Sequence, residues 1–315
     1  MRKIMILVVV LASVLVIGCG QQAAPAPQQA PAAQAAPAQP AFSVQNFVRE
    51  YVAALAQSNN IVSMDSFVAD LKAGTDMFVV DIRSADDYAK GHIRGAVNVP
   101  WNTNAMFEAI PHLPTDRTVF VHCYSGQTAG QAIVTMRMAG IQAVSVNSGW
   151  NLGISRVEGY EDVVTTDPTP INTSFNNGVT QEVQNLIRAY YEELFTHRGT
   201  PFANRFISEE NAKAVLDAAD PGVVFVDTRR PDDFNAGRIS LQSVNVPFGP
   251  NMIDLLSNLP ADRRLIVNCY SGQMSNQAIA LFNLMGYDSV SLFYGMGTPR
   301  TAPRGWVNQG LPLVN

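Results

Sequence analysis

Positive charge, cysteine and long apolar runs are all scarce in this chain, and each scarcity closes off a class of protein. Lys and Arg number 21 against 26 Asp and Glu, a net charge of -5, so no basic face is available for nucleic acid. The same acidity only mildly disfavours anionic substrates, because a local site can override the global field. Three cysteines are too few for a disulfide framework. No Cys-X-X-Cys pair occurs, and no His, Cys or Asp cluster has metal-ligand spacing, so neither a metal nor another cofactor is implied. An uncharged apolar run covers residues 4–17, shorter than the roughly 18 residues expected of a membrane-spanning helix.

What is present is apolar bulk and length. Hydrophobic residues make up 47% of 315, enough for real cores and for two domains of ordinary size. The first residues have the order of an export signal: Arg2 and Lys3, then the apolar run, then Val16-Ile17-Gly18-Cys19. That tetrapeptide resembles a bacterial lipobox, which implies that Cys19 is lipidated and becomes the first mature residue. Residues 20–41 are almost entirely Ala, Pro and Gln, a composition that cannot form a core and behaves as a semi-extended tether. About 20 residues at ~3 Å each reach ~60 Å. The expected organisation is a signal and lipobox at 1–19, a linker at 20–41, and two domains at 42–165 and 175–315. The expected location is the cell envelope, with the domains outside the cytoplasm and the membrane as a partner through the lipid.

The two domains are copies. Asp81-Ile82-Arg83 matches Asp227-Thr228-Arg229, Val97-Asn98-Val99-Pro100 matches Val244-Asn245-Val246-Pro247, and Cys123-Tyr124-Ser125-Gly126-Gln127 matches Cys269-Tyr270-Ser271-Gly272-Gln273. Asp81 to Cys123 and Asp227 to Cys269 are both 42 residues apart. Leading segments match as well, with Arg49 and Tyr51 answering to Arg188 and Tyr190. A period of about 146 residues is too long for a solenoid unit. Val-rich runs at 77–80, 119–121 and 143–146 predict buried parallel strands, and 128–139 predicts a helix stopped by Gly140. In copy two the strands are expected at 223–226 and 265–267, and the helix at about 274–285. Alternating strand and helix gives an α/β fold, a parallel sheet flanked by helices in each copy.

Cys123 stands where a parallel strand ends and a helix begins, the usual ligand end of an open α/β sheet. Successive backbone N–H groups in such a loop can form an anion nest, and the helix N-terminus adds partial positive charge. Both favour a thiolate. Gly126 permits a tight loop, and Thr128 has a hydroxyl able to cap the helix. One isolated Cys after an apolar strand reads more readily as a small buried hydrophobe. Here the same loop occurs twice with all its neighbours. A Cys123–Cys269 disulfide would need two separate loops to bring their Cα atoms within about 7 Å.

The stretch Asp81-Ile82-Arg83, Asp87-Tyr88, Gly91-His92-Ile93-Arg94-Gly95-Ala96, Asn98-Val99-Pro100 and Cys123 to Thr128 resembles a rhodanese domain. The resemblance implies a sulfurtransferase of the thiosulfate or mercaptopyruvate kind. In such an enzyme Cys123 takes sulfane sulfur from a small sulfur-containing donor, holds it as a persulfide and passes it to a thiol or cyanide-like acceptor. It implies too that Tyr124, Ser125, Gly126, Gln127 and Thr128 cradle the persulfide with their amides. By the same match Cys269 is the second catalytic cysteine, with Tyr270, Ser271, Gly272, Gln273 and Met274 as its cradle. Copy two departs at Gly237-Arg238-Ile239-Ser240, which replaces Gly-His-Ile-Arg, and at Met274, which stands where Thr128 stands. A weaker or differently selective second site is expected.

His92 reads as part of the frame, since Arg238 replaces it; His122 is replaced by Asn268 and is no obligatory catalyst. Arg83 and Arg229 read as ties to the neighbouring strand-ending Asp. Three other readings compete. A phosphatase or arsenate reductase wants an Arg in the anion loop, and none occurs between Cys123 and Arg137 or between Cys269 and Arg300. A non-catalytic binding module would be marked by loss of the cysteine. A thiol–disulfide redox protein would use Cys123 and Cys269 together.

Overall fold

The computed structural model describes residues 41–315. The expected export signal, the Cys19 lipidation site and all of the linker but its last residue lie outside the described residues. The first copy runs through α1 (Val44–Ala54), β1 (Ile61–Val62), α2 (Met64–Lys72), β2 (Phe78–Asp81), α3 (Ala85–Lys90), β3 (His92–Ile93), β4 (Val97–Asn98), α4 (Ala105–Ala109), β5 (Thr118–His122), α5 (Gln127–Met138), β6 (Gln142–Val146) and β7 (Val164–Thr165). The second runs through α6 (Gln181–Thr196), β8 (Phe206–Ile207), α7 (Glu209–Asp217), β9 (Val223–Asp227), α8 (Pro231–Ala236), β10 (Val244–Asn245), α9 (Met252–Leu256), β11 (Arg264–Asn268), α10 (Gln273–Leu284) and β12 (Ser289–Leu292).

Each copy builds a five-stranded sheet in which every pairing is parallel. The order is β1-β6-β5-β2-β4 in the first and β8-β12-β11-β9-β10 in the second. The central strand is β5 or β11, and a cysteine follows it directly. Registers agree: Val121 lies opposite Val80 in one sheet, Val267 opposite Val226 in the other. The fold is therefore two tandem α/β units of one topology, as the repeat requires.

The same local chemistry starts and stops the helices in both halves. Ser43 caps α1 by accepting the Asn46 N–H, and Thr180 caps α6 by accepting that of Val183. Beyond α5, Gly140 adopts φ +81° and its N–H returns to the Arg137 carbonyl at 2.9 Å.

The two units share one core. Helix α5 buries ten of its twelve residues, and a helix buried nearly all round must be covered on both sides. One side is its own sheet and the other is α10. A single apolar cluster runs from Val121 and Ile133 through to Val267 and Phe282. The opening helices cross this interface: α1 packs on α9 of the second copy, and α6 packs on α4 and α5 of the first. Among the described residues no helix is long and apolar enough to cross a membrane.

Candidate functional site

Cys123 is set by the last turn of sequence before α5. Strand β5 ends at His122, Gly126 takes the left-handed φ of +82°, and α5 starts at the next residue. That turn aims the Gly126 N–H at Cys123 Sγ, 3.1 Å away. Copy two repeats it, with Gly272 at φ +90° donating to Cys269 Sγ at 3.2 Å. Each sulfur thus faces a main-chain donor at a helix N-terminus, an arrangement that stabilises negative charge on it. Both thiols are free and buried. Thr128 does not cap α5: the N-cap is Gly126, without a side-chain hydrogen bond. The glycine turn starts the helix one residue earlier than expected, which leaves Thr128 inside the first turn.

The loop is held from below by the segment after the last main strand. Trp150 N–H donates to the Cys123 carbonyl at 2.7 Å and Asn151 N–H to that of Tyr124 at 2.8 Å. Met296 and Gly297 do the same for Cys269 and Tyr270, at 2.8 and 2.9 Å. Gly149 lies so close that a Cβ would sit 2.5 Å from the Cys123 carbonyl oxygen and 2.6 Å from the Gly126 nitrogen. The pattern Gly149-Trp150 and Gly295-Met296 in the sequence thus reports contact with the loop's backbone.

The flanking frame is repeated too. Arg83 forms a buried ion pair with Asp81, at 2.6 Å, donates to the Gly91 carbonyl at 2.8 Å, and lies 3.9 Å over the Trp150 ring. Arg229 pairs with Asp227 and donates to the Gly237 carbonyl at 2.6 Å. Asn98 and Asn245 tie the same strand ends through their side-chain amides. His92 is fully buried, with its ring nitrogens against the carbonyls of Tyr88 and Asp167 at 2.8 and 3.0 Å. His122 is buried with no hydrogen-bond partner on either ring nitrogen, 3.7 Å from Asp81 Oδ2, and burial pushes its pKa down.

The ten cradle residues divide by role. Tyr124, Ser125 and Thr128 line a cavity of about 710 Å³ that opens on Cys123. Tyr124 is anchored there by donating to Asp87 Oδ2 at 2.6 Å while accepting the Ser84 N–H at 3.0 Å. Lys90, and after it the Tyr124 and Ser84 hydroxyls, hold the Asp87 carboxyl well below the usual range. Tyr270 likewise donates to Asp233. Ser271 and Met274 are half-buried. The side chains of Gln127 and Gln273 turn away to the interface. Gln127 Oε1 accepts the Tyr294 N–H at 2.9 Å, and Gln273 Oε1 accepts the Ser148 N–H at 3.2 Å. Gln273 also donates to Ser145 Oγ at 2.7 Å. Each loop thus grips the strand end of the other copy.

Sequence reasoning missed the far wall of the cavity. Asn204, Phe206, Phe293 and Tyr294, all from the second copy, line the space above Cys123 beside Trp101 and Asn102 of the first. Trp101 Nε1 donates to Asn204 Oδ1 at 3.0 Å. Burial pushes the Tyr294 phenol up. The one available signal was that Phe293-Tyr294 replaces Asn147-Ser148 before the matched glycine. Among the described residues no group of three or more His, Cys, Asp and Glu is placed to hold a metal ion.

A family model described as the rhodanese-like domain matches residues 63–153 and again 210–295. The chain belongs to the rhodanese-like family. The two rhodanese-like matches contain four of the five strands of each sheet and both cysteine loops. A protein named as a sulfurtransferase, from Allochromatium vinosum, is 30% identical over 112 residues, which is 35% of this chain and 94% of that protein. A putative sulfur carrier protein, YrkF of Bacillus subtilis, is 24% identical over 104 residues; the match covers 32% of this chain and spans 55% of the length of the Bacillus protein. Among solved structures, a thiosulfate sulfurtransferase of Pseudomonas aeruginosa is similar over 83% of this chain and 48% of that one, at 18% identity and TM-score 0.31.

Proposed function

We propose that this rhodanese-like chain is a sulfurtransferase that carries sulfane sulfur as a persulfide on Cys123. The supporting observation is the Gly126 N–H aimed at Sγ from the head of α5, at the floor of a cavity large enough for a small substrate. The thiolate attacks the sulfane sulfur of a donor. A new S–S bond forms, the donor's bond to that sulfur breaks, and its electron pair leaves with the donor remnant. A nucleophilic acceptor then attacks the outer sulfur, the S–S bond at Cys123 breaks, and the pair returns to Sγ, where the loop amide stabilises it. Cys269 has the same main-chain geometry and is a second, less active carrier, with Met274 in the place of Thr128. A phosphatase or arsenate reductase gains no support, because no Lys or Arg lines the cavity at Cys123. The lipobox-like Cys19 and the Ala/Pro/Gln segment support attachment of the mature chain to a bacterial membrane, with the rhodanese-like domains outside the cytoplasm. A donor screen with thiosulfate, mercaptopyruvate and polysulfide, cyanide as acceptor and Cys123→Ser as control, tests the reading; turnover equal in the variant overturns it.

A further inference from the structure

The cavity at Cys123 joins two kinds of surface. Its floor is the main-chain turn that meets the sulfur. Its sides are aromatic: Trp101 from the first copy, and Phe206, Phe293 and Tyr294 from the second. The Phe293 ring lies 5.0 Å from that of Phe206 and 4.3 Å from that of Tyr294. Asp86, at the exposed first turn of α3, is the one charged residue in the lining. The neighbouring guanidinium groups lie outside the lining and are already paired. Arg198 donates to the side chain and carbonyl of Asn102. Arg304 pairs with the buried Glu209 at 3.0 Å and lies over the Phe293 and Tyr294 rings, 5.2 and 5.7 Å from their centroids.

Such a lining has a definite preference. A donor or acceptor with an anionic tail places that tail beside the Asp86 carboxylate, in a lining that offers it no cationic partner. An uncharged organic body instead removes apolar surface from water on both sides. The wall is a property of the second copy's side chains, because the backbone beneath it is shared. Tyr294 at φ +58° and Ser148 at φ +62° occupy matched turns, and each N–H is held by the loop glutamine of the opposite copy.

We infer that Cys123 exchanges sulfur with a small organic thiol and its persulfide, one with an apolar body and no negative charge, seated against Phe293 and Tyr294 of the second copy. This rests on the sulfurtransferase reading and names its substrate class. The acceptor thiolate attacks the outer sulfur of the Cys123 persulfide. The new organic persulfide keeps the proton on that sulfur, the old S–S bond breaks, and Sγ leaves as the thiolate beside the Gly126 N–H. The reverse step loads the enzyme.

The test loads the full chain carrying Cys269→Ser with polysulfide and follows unloading by mass spectrometry, with rate constants expressed per thiolate. The acceptors are mercaptoacetate, 2-mercaptoethanol, cysteamine and benzyl mercaptan. Benzyl mercaptan should unload Cys123 about ten-fold faster than 2-mercaptoethanol, the scale of one apolar group in a fitted pocket, and mercaptoacetate should be slowest. Phe293→Ala should reduce the ratio of the benzyl mercaptan to the 2-mercaptoethanol rate constant to roughly two-fold. Asp86→Lys, an exposed change that leaves the core alone, should speed mercaptoacetate about five-fold at low salt. Mercaptoacetate as fast as benzyl mercaptan, or a benzyl advantage unchanged in Phe293→Ala together with no effect of Asp86→Lys, overturns the inference while leaving sulfur transfer standing. No sulfur on Cys123 after polysulfide overturns both.

Discussion

The hydroxyl of Tyr51 in α1 donates to Oε1 of Gln277 in α10, 2.6 Å away across the interface. Its counterpart Tyr190 in α6 donates to Gln131 in α5 at 2.9 Å. Matched residues thus make matched contacts, each between one copy's opening helix and the other copy's central helix. Removing one hydroxyl leaves a buried acceptor short of a partner. Tyr51→Phe should lower stability by about 1–2 kcal/mol, read as a shift in the urea midpoint at unchanged slope.

The same tyrosines set an alkaline limit. Burial pushes the Tyr190 phenol up to about 12 and raises those of Tyr51 and Tyr191 further. In the unfolded chain they ionise near 10. A folded value above the unfolded one gives stability that is full below about pH 10 and is lost as pH rises from there towards 12. The urea midpoint should therefore fall over that window, and less steeply in Tyr190→Phe. A midpoint equally steep in the variant would assign the loss to other groups.

The sheets and the loop were readable because their signals are local. Val-rich runs marked β2, β5 and β11 to within a residue or two, and Gly140 marked the end of α5. The doubled Cys-Tyr-Ser-Gly-Gln loop appears at both strand-to-helix turns. Crossing of the opening helices was not readable: Tyr51 and Tyr190 are identical, so either could serve either copy, and only packing distinguishes them. Two-residue strands such as Ile61–Val62 carry no periodicity. The aromatic wall escaped because Phe293 is far from Cys123 along the chain. The Thr128 cap was misplaced because glycine at 126 starts the helix without a side-chain cap.

Gly149 gives a sharper test of the loop's support than any cradle side chain. Its φ of +58° and the 2.5 Å approach to the Cys123 carbonyl leave no room for a methyl group. Gly149→Ala should cost about 2–4 kcal/mol in all, from left-handed strain and overpacking. Persulfide formation at Cys123 should drop, while that at Cys269 should persist in whatever fraction remains folded. Equal loss at both cysteines would show general unfolding rather than local displacement.

Lipidation at Cys19 should place the mature chain in the membrane fraction. Cys19→Ala with a conventional cleavage site should release it as a soluble exported protein. Full-length unmodified chain in the cytoplasm would end that part of the proposal.

The central claim is sulfur on Cys123. The tryptic peptide 118–137 contains it, and its mass after exposure to a sulfane donor is the direct measurement. It should rise by about 32 Da, one sulfur, and return to its starting value when cyanide is added. Cys123→Ser should lose most turnover, and Cys269→Ser less. An unchanged peptide mass with every donor, or full turnover in the double serine variant, would contradict the account.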